Sequence, residues 1–235
     1  MRRALVLGGT GTVGQAVLVK LAAMDIPAVF TYCKNEELAA QIAATTGHQS
    51  RQLDLMNLDS LVALFDSLEE RATFPNALIH CAALTHPTPF ESIGENDWSQ
   101  ALRINCESAL VAAQQMAKRP AHPQGSDIVL LGALDKTQAF PLPIHFAASQ
   151  GALSAMTMAL AKELGPRGFR VNQVALGLLE SGLSTDMNET LRDDFHRFSS
   201  LRRLGTPEEA ANAITFFALN NTYINGKVLS VNGGV

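Results

Sequence analysis

A short glycine turn near the amino terminus constrains the fold more than any other feature of the sequence. The motif GGTGTVG occupies residues 8–14, between an apolar run at residues 4–7 and a segment of helical periodicity at residues 13–23. Glycines at this spacing let a buried strand turn sharply into a helix that packs back on it, because no Cβ atom stands between the two backbones. The motif therefore predicts a strand–turn–helix unit, the first half of a βαβ crossover.

The same alternation of strand and helix continues along the whole chain. Short apolar runs predict seven strands, at residues 4–7, 28–31, 52–54, 77–81, 128–131, 170–174 and 227–231. Helix-length amphipathic segments predict helices at residues 13–23, 36–44, 58–70, 97–118, 147–164 and 207–219. Right-handed crossovers between parallel strands favour the strand order 3-2-1-4-5-6-7. We therefore expect a single α/β domain over residues 1–235, a doubly wound parallel sheet of the Rossmann type with helices on both faces.

Composition excludes several classes of function. Of the 235 residues, 47% are hydrophobic and 17% are charged, which is enough for one sizeable core. A net charge of −4 gives no basic field for nucleic acid, and no apolar stretch reaches the roughly 18 residues of a membrane span. Cys33, Cys81 and Cys106 lack metal-ligand or CxxC spacing. We expect them to be small core residues of a reduced, cytoplasmic protein with no metal site.

The glycine turn also suggests a ligand. Gly8, Gly11 and Gly14 would leave backbone N–H groups at the start of the helix open to a pyrophosphate, and the helix dipole favours a negative charge there. A tight turn with close helix packing accounts for the same glycines without a ligand. Both interpretations are compatible with the sequence, and the position between a strand and a helix favours the phosphate site.

The end of the second predicted strand bears on which dinucleotide would bind. Proteins that bind the 2′-hydroxyl of NAD usually carry an acidic residue here, whereas this chain has Thr31-Tyr32-Cys33-Lys34. With no carboxylate and one lysine available for a 2′-phosphate, the segment favours NADP over NAD. Lys34 is equally compatible with a solvated loop charge.

Several long stretches resemble one enzyme family. They are ALAKELGPRGFRVNQVALG at 159–177, LRRLGTPEEAANAITFFAL at 201–219 and INGKVLSVNGGV at 224–235, and the likeness extends over residues 3–235. The chain is similar to the short-chain dehydrogenases/reductases, in particular to their 3-oxoacyl-acyl-carrier-protein reductase branch. The resemblance implies that LRINCESAL carries the family's helix asparagine as Asn105, and that LDL carries its adenine-contacting aspartate as Asp54. Asp54 is also compatible with a helix-entry role before Leu58.

The resemblance also locates the family's catalytic positions, and this chain lacks their functional groups. The family uses a serine to hold the carbonyl, a tyrosine to donate the proton, and a lysine four residues later, on the same helix face, to lower the tyrosine pKa. Aligned on HFAASQGAL at 145–153 and IVLLGALDK at 128–136, the chain has Ala133, Phe146 and Gln150 at these positions. None of the three is a general acid. The resemblance thus implies a reductase fold without its usual proton donor.

The positions implied for the cofactor are altered as well. Where the family reads NNAG after the fourth strand, this chain reads HCAA at residues 80–83, Thr12 replaces a glycine of the turn, and Leu176 stands where proline often precedes Gly177. These changes count against binding of NADP, although the phosphate turn is retained. The resemblance assigns to the cofactor Gly8, Thr10, Gly11, Thr12, Val13, Gly14, Cys33, Lys34, Asp54, Leu55, Cys81, Ala82, Ala83 and Gly177.

A substitute for the missing acid would have to come from another side chain. Tyr32 and Tyr223 lie away from the predicted cleft. His145 precedes the predicted tyrosine position by one residue and would point about 100° away from it around the helix. His80 and His86 flank the exit of the fourth strand. His86 is the candidate substitute acid, with a polar loop role as the alternative.

Three functions fit these features. The preferred one is a non-catalytic, ketoreductase-like subunit that pairs with an active homologue or holds a carrier protein in a fatty-acid or polyketide pathway, because three functional groups are absent together. The second is an active NADP-dependent 3-oxoacyl reductase with a non-standard proton donor, and the third is an NADP-binding sensor or scaffold. The resemblance implies a homo-oligomer, dimer or tetramer, or a hetero-oligomer. Arg167 and Arg170 either help dock an acyl carrier protein or are solvated.

Overall fold

One seven-stranded parallel sheet forms the centre of the protein. In the computed structural model, which describes residues 2–70, 74–133 and 142–235, the strands are β1 (Ala4–Leu7), β2 (Ala28–Tyr32), β3 (Gln49–Gln52), β4 (Ala77–His80), β5 (Ser126–Ala133), β6 (Phe169–Leu176) and β7 (Val228–Val231). Their order is β3-β2-β1-β4-β5-β6-β7, and each neighbouring pair is parallel. The predicted fold class, number of strands and strand order are confirmed.

Helices connect the strands and cover both faces of the sheet. In the described residues they are α1 (Thr12–Ala23), α2 (Glu36–Thr46), α3 (Leu58–Glu70), α4 (Glu95–Leu102), α5 (Ser108–Ala117), α6 (Ile144–Leu164), α7 (Glu189–Phe198) and α8 (Pro207–Thr215). The predicted helix over 97–118 is interrupted, because a π-helical turn at Arg103–Glu107 separates α4 from α5. Such turns insert one extra residue and often occur at functional sites.

Strand β5 illustrates how the core is built. Leu130 is buried in the hydrophobic cluster shared with α3, α5 and α6, whereas Leu131 is buried in the cluster shared with α1, α2 and α8. Successive side chains of a strand point to opposite faces, so a continuous apolar run is what a strand covered on both sides requires.

The predicted position of the third strand, residues 52–54, is wrong. β3 begins three residues earlier and pairs with β2 from Gln49 opposite Val29 to Gln52 opposite Tyr32. It lies at the edge of the sheet, and its sequence QSRQ has exposed or half-buried side chains, so no apolar run marks it. Asp54 therefore lies in the loop beyond the strand.

Residues 178–206 contain two helical segments that the sequence pattern does not predict. Helix α7 lies there, preceded by a short 3₁₀ helix at Gly182–Asp186.

No helix among the described residues is long and apolar enough to cross a membrane, and no cluster of three metal-ligating side chains occurs among them. The three cysteines are free thiols, of which Cys81 is buried and Cys33 is exposed. The cytoplasmic location stays a prediction.

The parallel sheet places the carboxyl ends of all seven strands at one edge. The described segments that follow β1, β2, β3, β4 and β6 begin there, and open α/β sheets bind ligands at this edge. The residues that the sequence assigns to the site lie at the carboxyl ends of the strands, on these segments, or on the first two turns of α1 and α6, apart from Asn105, which lies on the π-helical turn.

Candidate active site and cofactor cleft

The glycine turn joins β1 to α1 and is packed tightly against its neighbours. Gly8 has a φ of 82°, and a Cβ atom there would lie 2.8 Å from the backbone of Ala82. A Cβ atom on Gly14 would lie 2.3 Å from the carbonyl oxygen of Gly8. Thr31 anchors the turn to β2: its Oγ1 accepts the Gly8 N–H at 3.1 Å, and its carbonyl oxygen accepts the Gly9 N–H at 2.8 Å. Close packing alone therefore accounts for Gly8 and Gly14 as glycines.

The start of α1 nevertheless presents unused backbone donors. Gly11 is the N-cap, and its carbonyl oxygen accepts the Gln15 N–H at 2.9 Å. The amides of Thr12, Val13 and Gly14 have no hydrogen-bond partner in the described part of the chain, and no acidic side chain lies in the first turn. Unpaired N–H groups at the positive end of a 12-residue helix form an anion site. These amides, more than the glycines, support a phosphate ligand.

The residues predicted for the adenosine end lie at the ends of β2 and β3. Cys33, Lys34 and Asp54 are exposed, whereas Leu55 is buried. Gln52 Nε2 donates a hydrogen bond of 3.2 Å to the Cys33 carbonyl oxygen and so ties the ends of the two strands together. Lys34 takes part in none of the ion pairs found among the described residues. Its ammonium group is therefore free to meet an anion at this edge.

The side chain of Asp54 shapes its own loop. Asp54 Oδ1 accepts the Met56 N–H at 2.9 Å. The cap of α3 is instead Asn57, whose Oδ1 accepts the Ser60 N–H at 3.2 Å. Asp54 thus does not cap the helix, and its side chain is exposed.

Residues 81–83, which follow β4, lie next to the glycine turn at residues 8–14. The Cys81 N–H donates to the Leu7 carbonyl oxygen at 2.9 Å, which continues the pairing of β4 with β1. Burial raises the pKa of the Cys81 thiol to about 12, so this thiol is an inert core group. Ala82 packs its backbone on Gly8, and Ala83 is half-buried at the edge of the cleft.

Asn105 joins this segment to α6. Its Oδ1 accepts the Leu84 N–H at 2.7 Å, and its Nδ2 donates to the Leu84 carbonyl oxygen at 2.9 Å. The same Nδ2 lies 2.9 Å from Ser149 Oγ, which itself donates to the Phe146 carbonyl oxygen at 2.7 Å. Asn105 is only 1% exposed. All its hydrogen-bonding groups are thus used to hold the backbone and α6 in place.

The structure brings together the three positions predicted to be catalytic. Gln150 Oε1 accepts the Ala133 N–H at 3.0 Å, which ties α6 to the end of β5. Phe146 lies one turn earlier on the same helix face, and both Phe146 and Gln150 are buried. Ala133 ends β5, and residues 134–141, which follow it in the chain, lie outside the described residues. Their equivalence to a serine, a tyrosine and a lysine stays a prediction.

Gly177 closes the cleft on the side of β7. Its N–H donates to the Val231 carbonyl oxygen at 2.9 Å. A Cβ atom there would lie 2.6 Å from the Phe195 ring and 2.8 Å from the Cα of Asn232. A side chain at this position would therefore separate β6 from α7 and from the carboxyl-terminal residues.

Comparison with known proteins decides the family. A family model described as enoyl-(acyl carrier protein) reductase matches residues 10–235. The chain belongs to the short-chain dehydrogenase/reductase family.

Full-length similarity extends to named relatives in this family. The chain is 26% identical over 237 residues to 3-oxoacyl-[acyl-carrier-protein] reductase of Aquifex aeolicus, covering 98% of this chain and 96% of the relative. It is 26% identical to acetoacetyl-CoA reductase of Allochromatium vinosum, covering 100% and 98%. A solved short-chain dehydrogenase/reductase from Brucella melitensis superposes with a TM-score of 0.90 at 27% identity, covering 99% and 96%.

In this dehydrogenase/reductase a glutamine that the sequence analysis missed lies beneath the cleft. Gln173 on β6 is fully buried, and neither its Oε1 nor its Nε2 has a partner among the described residues. Its amide occupies the space that a side chain on Gly132 would need, since a Cβ atom there would lie 1.9 Å from Gln173 Nε2 and 3.1 Å from Gln150 Oε1. A polar residue within the apolar strand VNQVAL is the signal that could have identified it.

The histidines of this dehydrogenase/reductase are placed differently from the expectation. His86 is exposed on the loop after β4. His80 does not face the cleft, because it is fully buried towards α5 with its Nε2 2.7 Å from Ser108 Oγ. His145 is 2% exposed, and neither ring nitrogen has a partner in the described structure. It lies one helical turn before Ser149 on α6.

The protonation of His80 follows from its surroundings. Ser108 Oγ donates its only proton to the Ile104 carbonyl oxygen at 2.7 Å, so it accepts from His80 Nε2–H. His80 Nδ1 then carries no proton and has no partner. Burial lowers the pKa of His80 from 6.5 to about 4, because a charged ring would lose its hydration.

The stability of this dehydrogenase/reductase should therefore fall in mild acid through His80. The folded state binds the proton less readily than the unfolded chain, so the contribution is fully present above pH 6.5 and is lost as the pH falls towards 4. At pH 4.5 the expected loss is about 2–3 kcal/mol relative to pH 7. Urea unfolding of the wild type and of His80→Gln at both pH values measures it. Equal pH dependence in the two proteins would contradict the assignment.

Proposed function

We propose that this protein is a short-chain dehydrogenase/reductase that binds NADP(H) without reducing ketones on its own, and that it serves as a non-catalytic or partner subunit in a fatty-acid or polyketide pathway. One observation carries the proposal: the Gln150 side-chain oxygen accepts a hydrogen bond from the Ala133 backbone N–H, so these two groups are already paired with each other. Neither is set up to bind a substrate carbonyl.

The chemistry of the three positions supports the absence of independent activity. The hydrocarbon ring of Phe146 has no proton to donate, and the amide of Gln150 carries no charge that would lower a neighbouring pKa. The methyl group of Ala133 cannot hold a carbonyl oxygen. A general acid is typically worth about 10²–10⁴ in rate, and an oriented donor to the carbonyl contributes a comparable factor.

The cofactor end of the cleft fits NADP(H) better than the catalytic end does. The free amides of Thr12, Val13 and Gly14 would hold the pyrophosphate, and the exposed ammonium group of Lys34 would meet the 2′-phosphate. Exposed Asp54 lies where an adenosine contact is expected. When bound, NADPH supplies a hydride, and the residues named here bind and orient its adenosine half.

Association with a second chain is part of the proposal. The stretch that leads into the edge strand β7 exposes large apolar side chains: Phe216, Tyr223, Ile224 and Leu229. An open strand edge with exposed apolar neighbours favours pairing with another copy or with an intact homologue. Of the two arginines considered for carrier docking, Arg170 bonds the buried carboxylate of Asp127. Arg167 is exposed and donates to the Ala117 carbonyl oxygen, so it is the arginine that could also meet an acidic carrier protein.

A second candidate function, an active reductase with a non-standard acid, is favoured by His145. This buried imidazole has both nitrogens without a partner among the described residues, and it directly precedes Phe146 on α6. It replaces the exposed His86 as the side chain to test. No observation favours a sensor or scaffold over these two functions.

The test combines calorimetric titration of NADPH with an assay of acetoacetyl-CoA reduction. We expect saturable binding of NADPH and a turnover at least about 10³-fold below that of the Aquifex aeolicus relative assayed in parallel. Turnover comparable to that of the relative would contradict the proposal. If that turnover were lost in His145→Asn but kept in His86→Asn, the second function would replace the first.

A further inference from the structure

A small cavity lies at the amino ends of the strands, whereas the cleft lies at their carboxyl ends. Its volume is about 160 Å³, and it lies where β4, β5 and β6 begin. An engineered cavity of about 150 Å³ in another protein binds benzene, so this space suits a ligand with a single six-membered ring. The described residues that form its walls include Phe74, Pro75, Met116, His122, Ser126 and Phe169.

Arginine side chains hold the two aromatic walls of this cavity. The guanidinium carbon of Arg119 lies 5.0 Å from the centroid of the Phe74 ring. That of Arg167 lies 6.0 Å from the centroid of the Phe169 ring. Arg119 is itself held by an ion pair with Glu69, which also balances its charge. Because these contacts fix the rings, the cavity is formed before a ligand enters it.

The walls also carry two hydrogen-bond donors that have no acceptor in the described part of the chain. His122 Nδ1 accepts the Gln124 N–H at 3.2 Å, so the neutral imidazole carries its proton on Nε2. Ser126 Oγ accepts the His122 N–H at 3.1 Å, which leaves the hydroxyl proton to be donated. Ser126 is only 3% exposed, so water satisfies its hydroxyl poorly. A ligand oxygen is the acceptor that these two donors lack.

The turn that carries these donors lies against an excess of positive charge. Arg2 donates to the Gly125 carbonyl oxygen at 3.4 Å. Arg170 donates to the Gln124 carbonyl oxygen, also at 3.4 Å. Both arginines pair with the single carboxylate of Asp127, and each arginine side chain is only 14% exposed. Two positive charges thus face one negative charge, and partial burial limits their screening by salt. The surroundings therefore favour a ligand that carries a negative charge.

We propose that this cavity is a second ligand site, which binds a monocyclic aromatic carboxylate. The ring of the ligand packs against Phe74, Met116 and Phe169. Its carboxylate accepts hydrogen bonds from His122 Nε2–H and from the Ser126 hydroxyl. Because the site lies at the opposite edge of the sheet from the glycine turn, it fills independently of a dinucleotide and does not depend on the proposed function.

Titration of the wild-type chain with benzoate, followed by NMR, tests the site. We expect saturable binding with a dissociation constant of about 1 mM, within the range reached by a ligand of about nine non-hydrogen atoms. Benzyl alcohol, which has the ring without the charge, is expected to bind at least about tenfold more weakly. Saturating NADPH should change the benzoate value by less than about twofold. Displacement of benzoate by NADPH would place it in the cleft and overturn the proposal.

Two variants each remove one donor from the cavity. Ser126→Ala removes the hydroxyl, and His122→Phe removes the imidazole while it keeps a planar ring. Each is expected to weaken benzoate binding about tenfold, because a hydrogen bond to a charged group is lost. His86→Phe is the matched control, since His86 is exposed on the loop after β4, and it should leave the value unchanged. Unchanged benzoate affinity in both variants, with folding checked by circular dichroism, would overturn the proposal.

Discussion

The triple variant Ala133→Ser, Phe146→Tyr, Gln150→Lys is expected to reduce acetoacetyl-CoA about 10²–10⁴-fold faster than the wild-type chain. The serine would hold the carbonyl, the tyrosine would donate the proton, and the lysine would lower the tyrosine pKa from the same helix face. Backbone positions need not change, because Gln150 already reaches the end of β5 through the Ala133 amide. Consumption of NADPH at saturating acetoacetyl-CoA measures the gain.

The control for this experiment is a double variant that keeps Phe146. Ala133→Ser, Gln150→Lys without a change at Phe146 is expected to show no comparable gain, since no acid has been supplied. A triple variant that binds NADPH but is no faster than the wild type would show that the missing side chains are not what limits activity.

The second large effect concerns stability at the opposite edge of the sheet. Asp127 is 1% exposed and accepts three hydrogen bonds of 2.7 Å, two from Arg170 and one from Arg2. Asp127→Asn removes the charge that both guanidinium groups face, and it also replaces an acceptor oxygen with a donor. We expect a loss of about 3–5 kcal/mol in the free energy of unfolding, the usual cost of breaking a buried ion pair by removing one partner. Urea denaturation at pH 7 measures the loss.

An exposed ion pair provides the comparison for this measurement. Asp66 lies 3.9 Å from Arg119 and is largely solvent-exposed, so Asp66→Asn should cost no more than about 1 kcal/mol. Similar losses in Asp127→Asn and Asp66→Asn would mean that burial of the ion pairs of Asp127 with Arg2 and Arg170 adds nothing to the free energy of unfolding. Because Arg2 precedes β1 while Asp127 and Arg170 begin β5 and β6, the cluster holds the amino ends of strands whose carboxyl ends form the cleft.

Local sequence patterns predicted the strands that are buried on both faces of the sheet. The apolar runs predict the buried strands, because a parallel strand covered on both faces needs apolar side chains on both faces. The right-handed crossover rule then predicts their order. The apolar-run pattern fails for β3, whose edge position leaves polar side chains tolerable. It also fails at residues 178–206, where the structure depends on a single β-bridge and on Arg192 rather than on any periodic pattern.

The sequence predicted where the candidate site residues lie along the chain, but it did not predict which residues they contact. The sequence places Asn105 on a helix, whereas its bonds to Leu84 and Ser149 depend on a π-helical turn that no periodicity indicates. His86 and His145 illustrate the same limit. Proximity to the end of the fourth strand favours His86, and only the structure shows that His86 is exposed whereas His145 is buried with ring nitrogens that have no partner among the described residues.

The sequence by itself determined the α/β class, the strand order, the glycine turn and the presence of alanine, phenylalanine and glutamine at three decisive positions, because these depend on residue type and short-range spacing. Tertiary structure decided which amides at the start of α1 stay free, that Gln150 bonds Ala133, and that the Gly182 backbone packs against the Thr12 side chain. Thr12 and Gly182 are 170 residues apart along the chain, so no local pattern records their contact. Only the packing of the parallel strands, which brings the ends of β1 and β6 to one edge, places them together.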